Sequence, residues 1–466
     1  MSSIGSLLSI AGSALSAHQA AIVVTSNNVS NADTVGYSRQ IALLQPGPTV
    51  RGNVGEIGSG VLVREVRRQR DSLLDATYRR EQANASGFSL REEQLGQVQG
   101  VFGTLSGSGI DDALDAFWSA WSDLANQPSN PTSQGLVRDS GSQLASMLNN
   151  SAAQLQDAHD SVSGRLVRDT AEFNRLARQV GELNRDITIA ESGGQSAPAV
   201  RDERDRVLDA MARLAPIRVM ERDNGTVGVL LDSTSIVDGD AVRELSVSAG
   251  PPMALQVTGS SGTISSPGGA LGSSLDLLNN VIPSTLAQLD GLADGLVTAV
   301  NALHTTGPSG VAFFQPAPAA GSVTAATIRI SDDVAADATL VNAGIDDADA
   351  GSADNRLALA MADLRESPVD ITVAGGSYAG TTSASFGEFY NRLVTGVGTL
   401  TQAAGQSATV YGTLADQADA RRGAVSGVST DEELVTLMGQ QQAYAAAAHL
   451  VTVADEMAQT ILDMVR

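Results

Sequence analysis

The sequence contains no cysteine in 466 residues, so neither a disulfide framework nor a thiolate metal site is open to it. It contains no lysine either: its 29 cationic side chains are all arginine, against 52 aspartates and glutamates, a net charge of −23. A surface of that sign repels nucleic acid and anionic lipid, and neither is expected as a partner. No arginine precedes Arg39, so the N-terminus lacks the positive segment of a secretory signal peptide. Ser, Gly, His and Gln interrupt its apolar residues too often for a spanning segment, so no membrane insertion is expected. A chain of this kind that leaves the cytoplasm is expected to do so without a cleaved signal.

At 42% hydrophobic residues the chain can bury several cores, and its length suits two to four domains. Apolar or small residues recur at Ile4, Leu8, Ala11, Leu15, His18, Ile22, Thr25 and Val29, in steps of three and four, which predicts a helix with one narrow sticky stripe. The last segment repeats this at Leu434, Leu437, Gln441, Tyr444, Ala448, Val451, Ala458, Leu462 and Val465. Thr430 followed by Glu433 reads as a capping box, which places the start of this helix near Asp431. Two such helices pair as an antiparallel coiled coil, join stripes from neighbouring subunits, or lie as ordinary amphipathic helices on one core.

Further in, Leu74 to Phe102 and Asp111 to Leu124 read as helices, the second carrying Trp118 and Trp121. From Thr132 to about Ile189 the apolar positions keep helical spacing, and as one helix this stretch is roughly 80 Å long, the mark of an elongated body. Pro198 to Leu214 resumes as a short helix whose RDERDR string, Arg201 to Arg206, reads as a solvated face laced with ion pairs. Strand-like texture follows from Ile217 to Ser266, with Asn224-Gly225 as a turn, and reappears at Thr324 to Ile330 and Ile371 to Ala374. Leu271 to Leu303 and Phe386 to Asp419 read as helices.

The expected fold is multi-domain and mainly α: terminal coiled-coil helices and an elongated helical rod domain with an inserted β-rich outer domain. Residues 1–65 pair with 426–466. Residues 66–214, about 268–305 and 385–425 form the rod domain, and about 215–267 and 306–384 the β-rich outer domain.

No pattern of catalytic chemistry stands out. His18, His159, His304 and His449 are scattered without metal-ligand spacing. The acidic run from Asp346 to Asp354 fails as a calcium loop, because the sixth and twelfth positions from Asp347 are Ser352 and Ala358 rather than Gly and Glu. Gly103 to Gly109 lacks the Lys-Ser/Thr of a phosphate loop and reads as a connector. The chain is therefore expected to be no enzyme, with no catalytic or metal-binding residues and no cofactor.

The most informative string is Ser26-Asn27-Asn28-Val29-Ser30-Asn31-Ala32-Asp33-Thr34-Val35-Gly36-Tyr37-Ser38-Arg39-Gln40, whose Asn, Ser, Thr and Gly residues suit the place where a helix ends and the chain turns sharply. It resembles the N-terminal signature of the flagellar axial proteins, the rod, hook and hook-associated family. Its ending, Thr34 to Gln40, is closer to the hook-associated junction members than to the FKR-like endings of rod and hook proteins. Ser426 to Met457 is similar to the family's C-terminal segment, with an acidic pair and a Gln-Gln-x-Tyr-like core. Arg201 to Ala212, Gly268 to His304 and Ser352 to Leu364 resemble junction segments in the same order. Longer members insert a second domain after the segment matching Val311 to Gln315, whereas Pro316 to Ser322 passes straight on here.

The resemblance implies a structural subunit at the junction of hook and filament that supports filament assembly. It would be exported unfolded to the extracellular flagellum, and its termini would order only on assembly. It implies as partners copies of itself in a ring, the hook protein, the second junction protein and an export chaperone at the C-terminal helix. Residues expected to carry assembly are Ile4, Leu8, Leu15, Ile22, Leu434, Leu437, Tyr444, Val451 and Leu462, with the signature turn Asn27, Asn28, Asn31, Thr34, Gly36, Tyr37 and Arg39. The alternatives are a hook or rod subunit of the same family, or a secreted coiled-coil binding protein.

Overall fold

The computed structural model describes residues 2–52, 55–103, 109–194, 196–248, 250–260, 262–318, 320–346 and 353–465, with the backbone alone at residues 2, 3, 50–52, 55–57 and 465. Most of the Gly103–Gly109 connector and most of the acidic run from Asp346 to Asp354 therefore lie outside the described residues.

Helix α1 (Ser2–Ser30) opens the chain. After the signature turn come β1 (Gln40–Pro46), the small pair β2 (Thr49–Gly52) and β3 (Gly55–Gly58), and β4 (Val61–Arg68), which returns antiparallel to β1. This hairpin packs on α1. Gly60, at φ +104°, lies where a Cβ would collide with Ser13, so only glycine brings the hairpin this close to the helix. The sequence reading gave residues 40–68 no strands: Arg64, Arg67 and Arg68 break the apolar alternation of β4.

The body begins with α2 (Ser72–Val101), capped by Asp71 Oδ1, which accepts from the N–H groups of Leu73 and Leu74 at 2.8 and 3.2 Å. There follow α3 (Ile110–Asn126), α4 (Pro131–Glu191) and α5 (Pro198–Leu214). As the spacing predicts, α4 is one unbroken helix; its 61 residues give a length of about 90 Å. Asn130 caps it and Pro131 stands at its first position, where a missing N–H costs nothing.

Strands β5 (Ile217–Glu221), β6 (Val227–Leu231), β7 (Thr234–Asp238) and β8 (Ala241–Val242) form an antiparallel sheet in sequence order, and β9 (Leu245–Val247), β10 (Leu255–Val257) and β11 (Thr263–Ile264) form a smaller one. Helices α6 (Gly269–Asp276) and α7 (Ile282–His304) are joined without a break by a π turn at Leu277–Val281. Pro283 explains the turn: it has no N–H, and its ring would press on the carbonyl four residues back, which a wider turn accommodates.

The chain then runs through β12 (Phe314–Pro316), β13 (Ile328–Ile330), α8 (Asp332–Ala336), α9 (Arg356–Asp363), β14 (Val369–Val373) and β15 (Gly380–Ala384). It ends in α10 (Phe386–Ser426) and α11 (Thr430–Val465). The fold is mainly helical and multi-domain, with long terminal helices and a central β-containing region. The two β-bearing stretches, grouped above as one outer domain, lie on different parts of α4: Asn174 and Asn184 hold β9 and β6, and Asn149 holds residues 325 and 328.

One buried apolar cluster runs through the body, from Leu90 in α2 to Ala404 in α10. The few aromatics concentrate in it: Phe117 lies 5.6 Å from Phe313, Trp121 5.7 Å from Phe313, and Trp118 5.8 Å from Phe386, in the tilted or stacked arrangements that ring quadrupoles favour. The buried residues of α1 and α11 are not part of this cluster.

Helices and strands are joined by asparagine amides. Asn174 donates to the Leu245 carbonyl at 2.7 Å and accepts its N–H at 2.8 Å, as a neighbouring strand would. Asn184 does the same with Val227, and also bonds Gly239 O and the buried Arg204. Asn279 binds Met253 and Asn301 binds Phe314 in the same two-bond manner. Replacing Asn184 by Ala leaves these buried groups without partners, and urea unfolding is expected to show a loss of about 3 kcal/mol with the slope unchanged.

His304 is fully buried at the end of α7, where Nδ1–H donates to Val311 O at 2.7 Å and Nε2 accepts from Asn342 N at 3.3 Å, so the ring is neutral. Burial pushes its pKa below the usual value, opposed by the bond to Val311. The unfolded chain then binds the proton more readily, so this contribution to stability is complete above about pH 6.5 and is lost as pH falls below it. Urea midpoints are expected to drop between about pH 7 and about pH 5, and a His304→Gln chain to show a shallower drop over the same range.

Candidate assembly interface

The first and last helices run antiparallel. His18 Nδ1 meets Gln440 Oε1 at 2.7 Å while Asn28 reaches Glu433, so position rises along α1 as it falls along α11. The residues buried on α1 are Ala11, Ala17, Ala21, Val24, Thr25 and Asn28, and those on α11 are Glu433, Ala447 and Ala454. Small side chains let two helices approach closely, but they bury little apolar area. The large residues of the expected stripes are therefore only partly covered. Ile4, Leu15, Ile22, Leu437 and Val451 are half-buried, whereas Leu8, Tyr444, Leu434 and Leu462 are 41%, 38%, 47% and 69% exposed.

Helix α11 also carries a row that the sequence reading missed, Val435, Met438, Leu450, Met457 and Met464, all exposed. By length and apolar character alone, Ile4–Ser30 is sufficient to cross a membrane, contrary to the expectation drawn from its polar interruptions. In the structure α1 packs against α11 and the β1/β4 hairpin.

The signature turn closes on a single asparagine. Asn28, 1% exposed, donates to Gln40 O and Glu433 Oε2, both at 2.8 Å, and its oxygen accepts from Tyr37 Oη at 2.9 Å and Gln40 N at 3.0 Å. Every hydrogen-bonding position of the amide is filled. Glu433, 2% exposed, receives Arg39 Nε on its other oxygen at 2.7 Å, and Arg39 also reaches Glu432 at 3.1 Å. Arg39 N donates to Ser426 O, which ties the turn to the end of α10.

Around this node, Asn31 donates to Asn27 O and accepts from Thr34 Oγ1, and Gly36 takes φ +87° beside the Arg206 side chain. Tyr37 is pushed up to about 12 by burial and by the carboxylates of Asp202 and Glu433. The capping box expected at Thr430 and Glu433 is not the one formed. Ser429 Oγ accepts from Glu432 N at 3.5 Å, and the Glu433 carboxylate turns to Asn28 and Arg39 because their buried donors bind it more strongly than a solvated helix end does.

Below the turn lies a network of alternating charges. Ser38 donates to Asp202 from both N and Oγ, and Arg68 NH1 bridges Asp202 and Asp205 at 2.8 and 2.7 Å. Asp205 also meets Arg70 and Arg79, Arg79 reaches Asp209, and Arg422 joins Asp209 to Asp419 while its guanidinium lies 3.9 Å over the Tyr78 ring. Burial pushes Asp205 up, and Arg70, Arg68 and Arg79 more than offset it, leaving the carboxyl below its usual range.

The RDERDR string is thus no solvated face: Asp202, Arg204 and Asp205 are buried, and only the pair of Glu203 with Arg206 matches that reading. The string at 64–70 is rich in arginine and the string at 201–209 in aspartate, and their complementarity was the available signal. Beside the turn, a groove of about 510 Å³ is lined by Val35, Tyr37, Tyr78, Arg213 and Arg422.

Three family descriptions match successive parts of the chain: "Flagella basal body rod protein" over residues 8–37, "Flagellar hook-associated protein FlgK helical domain" over 95–314, and "Flagellar basal body rod FlgEFG protein C-terminal" over 422–464. The first holds Asn28 and Tyr37 and the last holds Glu433, so the node lies where the two terminal matches meet. These parts define a flagellar axial subunit.

Flagellar hook-associated protein 1 of Bacillus subtilis is 28% identical over 505 residues, covering 98% of this chain and 97% of its own. Those of Salmonella typhimurium and Escherichia coli are 25% and 24% identical, each over 98% of this chain and 100% of their own. The flagellar hook junction protein FlgK of Burkholderia pseudomallei has the same fold, with a TM-score of 0.63 at 15% identity over 75% of this chain and 100% of that one. Over nearly its whole length the chain is similar to flagellar hook-associated protein 1, and it is a structural component of the bacterial flagellum.

The two kinds of carboxylate in RDERDR separate in a stability measurement. Asp205→Asn leaves the buried Arg79 and the largely covered Arg68 and Arg70 short of an anion and is expected to cost about 4 kcal/mol in urea unfolding, whereas Glu203→Gln, at an exposed pair, is expected to cost less than about 1 kcal/mol.

Proposed function

We propose that this subunit stands between hook and filament, in a ring of its own copies, with the hook protein on one side and the second junction protein on the other. The observation that carries this reading is the incomplete burial of the terminal pair. Its seam is made mostly of small residues, and its large apolar stripe residues are only partly covered by the rest of the chain. Neighbouring copies complete the burial, which is how a narrow helix pair gains the stability that its own seam does not supply. In this reading Ile4, Leu8, Leu15, Ile22, Leu434, Leu437, Tyr444, Val451 and Leu462 face partners, and Asn27, Asn28, Asn31, Thr34, Gly36, Tyr37 and Arg39 set the angle between the terminal pair and the body.

The same reading divides the chain into an axial part (1–65 with 426–466), a helical rod (66–214, about 268–305 and 385–425) and β-bearing outer parts (about 215–267 and 306–384). It gives the subunit a mechanical role and no enzymatic one, with no membrane insertion. It has the chain exported without a cleaved signal, with its C-terminal helix held by an export chaperone until assembly.

In cells that lack their own hook-associated protein 1, the chain is expected to restore filament attachment and swimming. Leu434→Asp and Leu462→Asp are expected to abolish both while exported protein and body stability stay unchanged. Normal swimming with both variants would overturn the assignment of these residues, and failure of the parent chain to restore filaments would overturn the junction role.

A further inference from the structure

We infer that Asn28 and Glu433 make the ordering of the two terminal helices a single event, which requires both ends of the chain to be present together. This rests on the reading that the terminal pair forms during assembly.

Neither helix holds its place by apolar weight: the fully buried side chains of the pair are small or polar, and none belongs to the main core. The last turns of α1, Val23-Val24-Thr25-Ser26-Asn27-Asn28-Val29-Ser30, are made of poor helix formers, so this end does not persist by propensity. It is held by Asn28, whose four hydrogen bonds go to Gln40, Tyr37 and Glu433. Glu433 in turn is buried only because Asn28 and Arg39 occupy its two oxygens.

The partners are 405 residues apart in sequence, so the contact does not form while either end is still confined elsewhere. Removing one side strands a buried amide or a buried carboxylate on the other, and neither state is tolerated in the closed pair. The consequence is a checkpoint: neither terminal helix closes until the other is free to meet it.

The absence of native cysteine makes the test clean. His18→Cys and Gln440→Cys, at the contact farther along the pair, are joined by a short bis-maleimide linker in flagella isolated from cells carrying the full-length chain. With Asn28→Asp, which sets two carboxylates together, the yield of the 18–440 link is expected to fall about tenfold although the substitution lies ten residues away along α1. Adding Glu433→Gln restores a donor between the same two residues and is expected to recover most of the yield. Urea unfolding of the purified chains, dominated by the body, is expected to stay unchanged throughout.

A link yield that survives Asn28→Asp would overturn the coupling, as would a double variant that recovers nothing. Either result leaves the junction role standing, because that role is judged on filament restoration by the parent chain.

Discussion

The structure depends on how a long helix holds strands that cannot hold themselves. Among the described residues the sheets contain two to four short strands, the two-stranded ones marginal alone in water, and their unpaired edges need hydrogen-bond partners when buried. The helices supply those partners from side chains. Asn174, Asn184, Asn279 and Asn301 each offer an amide that donates to a carbonyl and accepts an N–H of one strand or loop residue, which is what an adjacent strand would do. Asn28 repeats the device with Gln40 at the signature turn. An apolar face slides at little cost, but a two-bond amide contact fixes register. The β-bearing parts are therefore pinned at set points along α4, the π turn and α7, and the turn at a set point on α1.

What the sequence made legible follows from this. Helices were readable because their apolar spacing is long and regular: helical spacing was read from Thr132 to about Ile189, within α4, and α5 spans Pro198–Leu214 as read. The β1/β4 hairpin was not readable, because in β4 Leu62 stands exposed while Glu65 and Arg68 are half-buried, so apolar and charged residues do not alternate with the faces of the strand. The buried asparagines gave no periodic signal at all. Their role depends on which backbone stands opposite, and that is a property of the folded chain.

The terminal helices were legible as a pair but not in the detail of their contact. The spacing that predicts a stripe weights large residues, so it selected Leu8, Leu434, Tyr444 and Leu462, while the intrachain seam is built from alanine. The two selections answer different questions. Small residues set how closely the chain's own helices approach, and large ones at the margins of that seam stay partly exposed. In the same way Glu433 was read as a cap from its place in sequence, and its buried position beside Asn28 shows how a distant partner overrides a local preference.

The exclusive use of arginine acquires a physical sense at the charge network. Arg68 reaches two aspartates with one nitrogen, Arg79 reaches two through Nε and NH2, and Arg422 spans two more while lying flat on Tyr78. A lysine ammonium could bridge two carboxylates as the single Arg68 nitrogen does, but it has no second nitrogen to span the pairs that Arg79 and Arg422 join, and no planar group to lie on a ring. The network joins α2, β4, α5 and α10 immediately below the turn, so the base to which the terminal pair is attached is fixed by directional bonds from several sides. The chain passes between this base and the terminal pair at the turn, at the step from β4 to α2 and at the step from α10 to α11. Ser38 bonds the turn to Asp202 of the base and Arg39 bonds it to Ser426 and Glu433, so directional bonds rather than apolar packing join the two parts where the amide of one asparagine meets both ends of the chain.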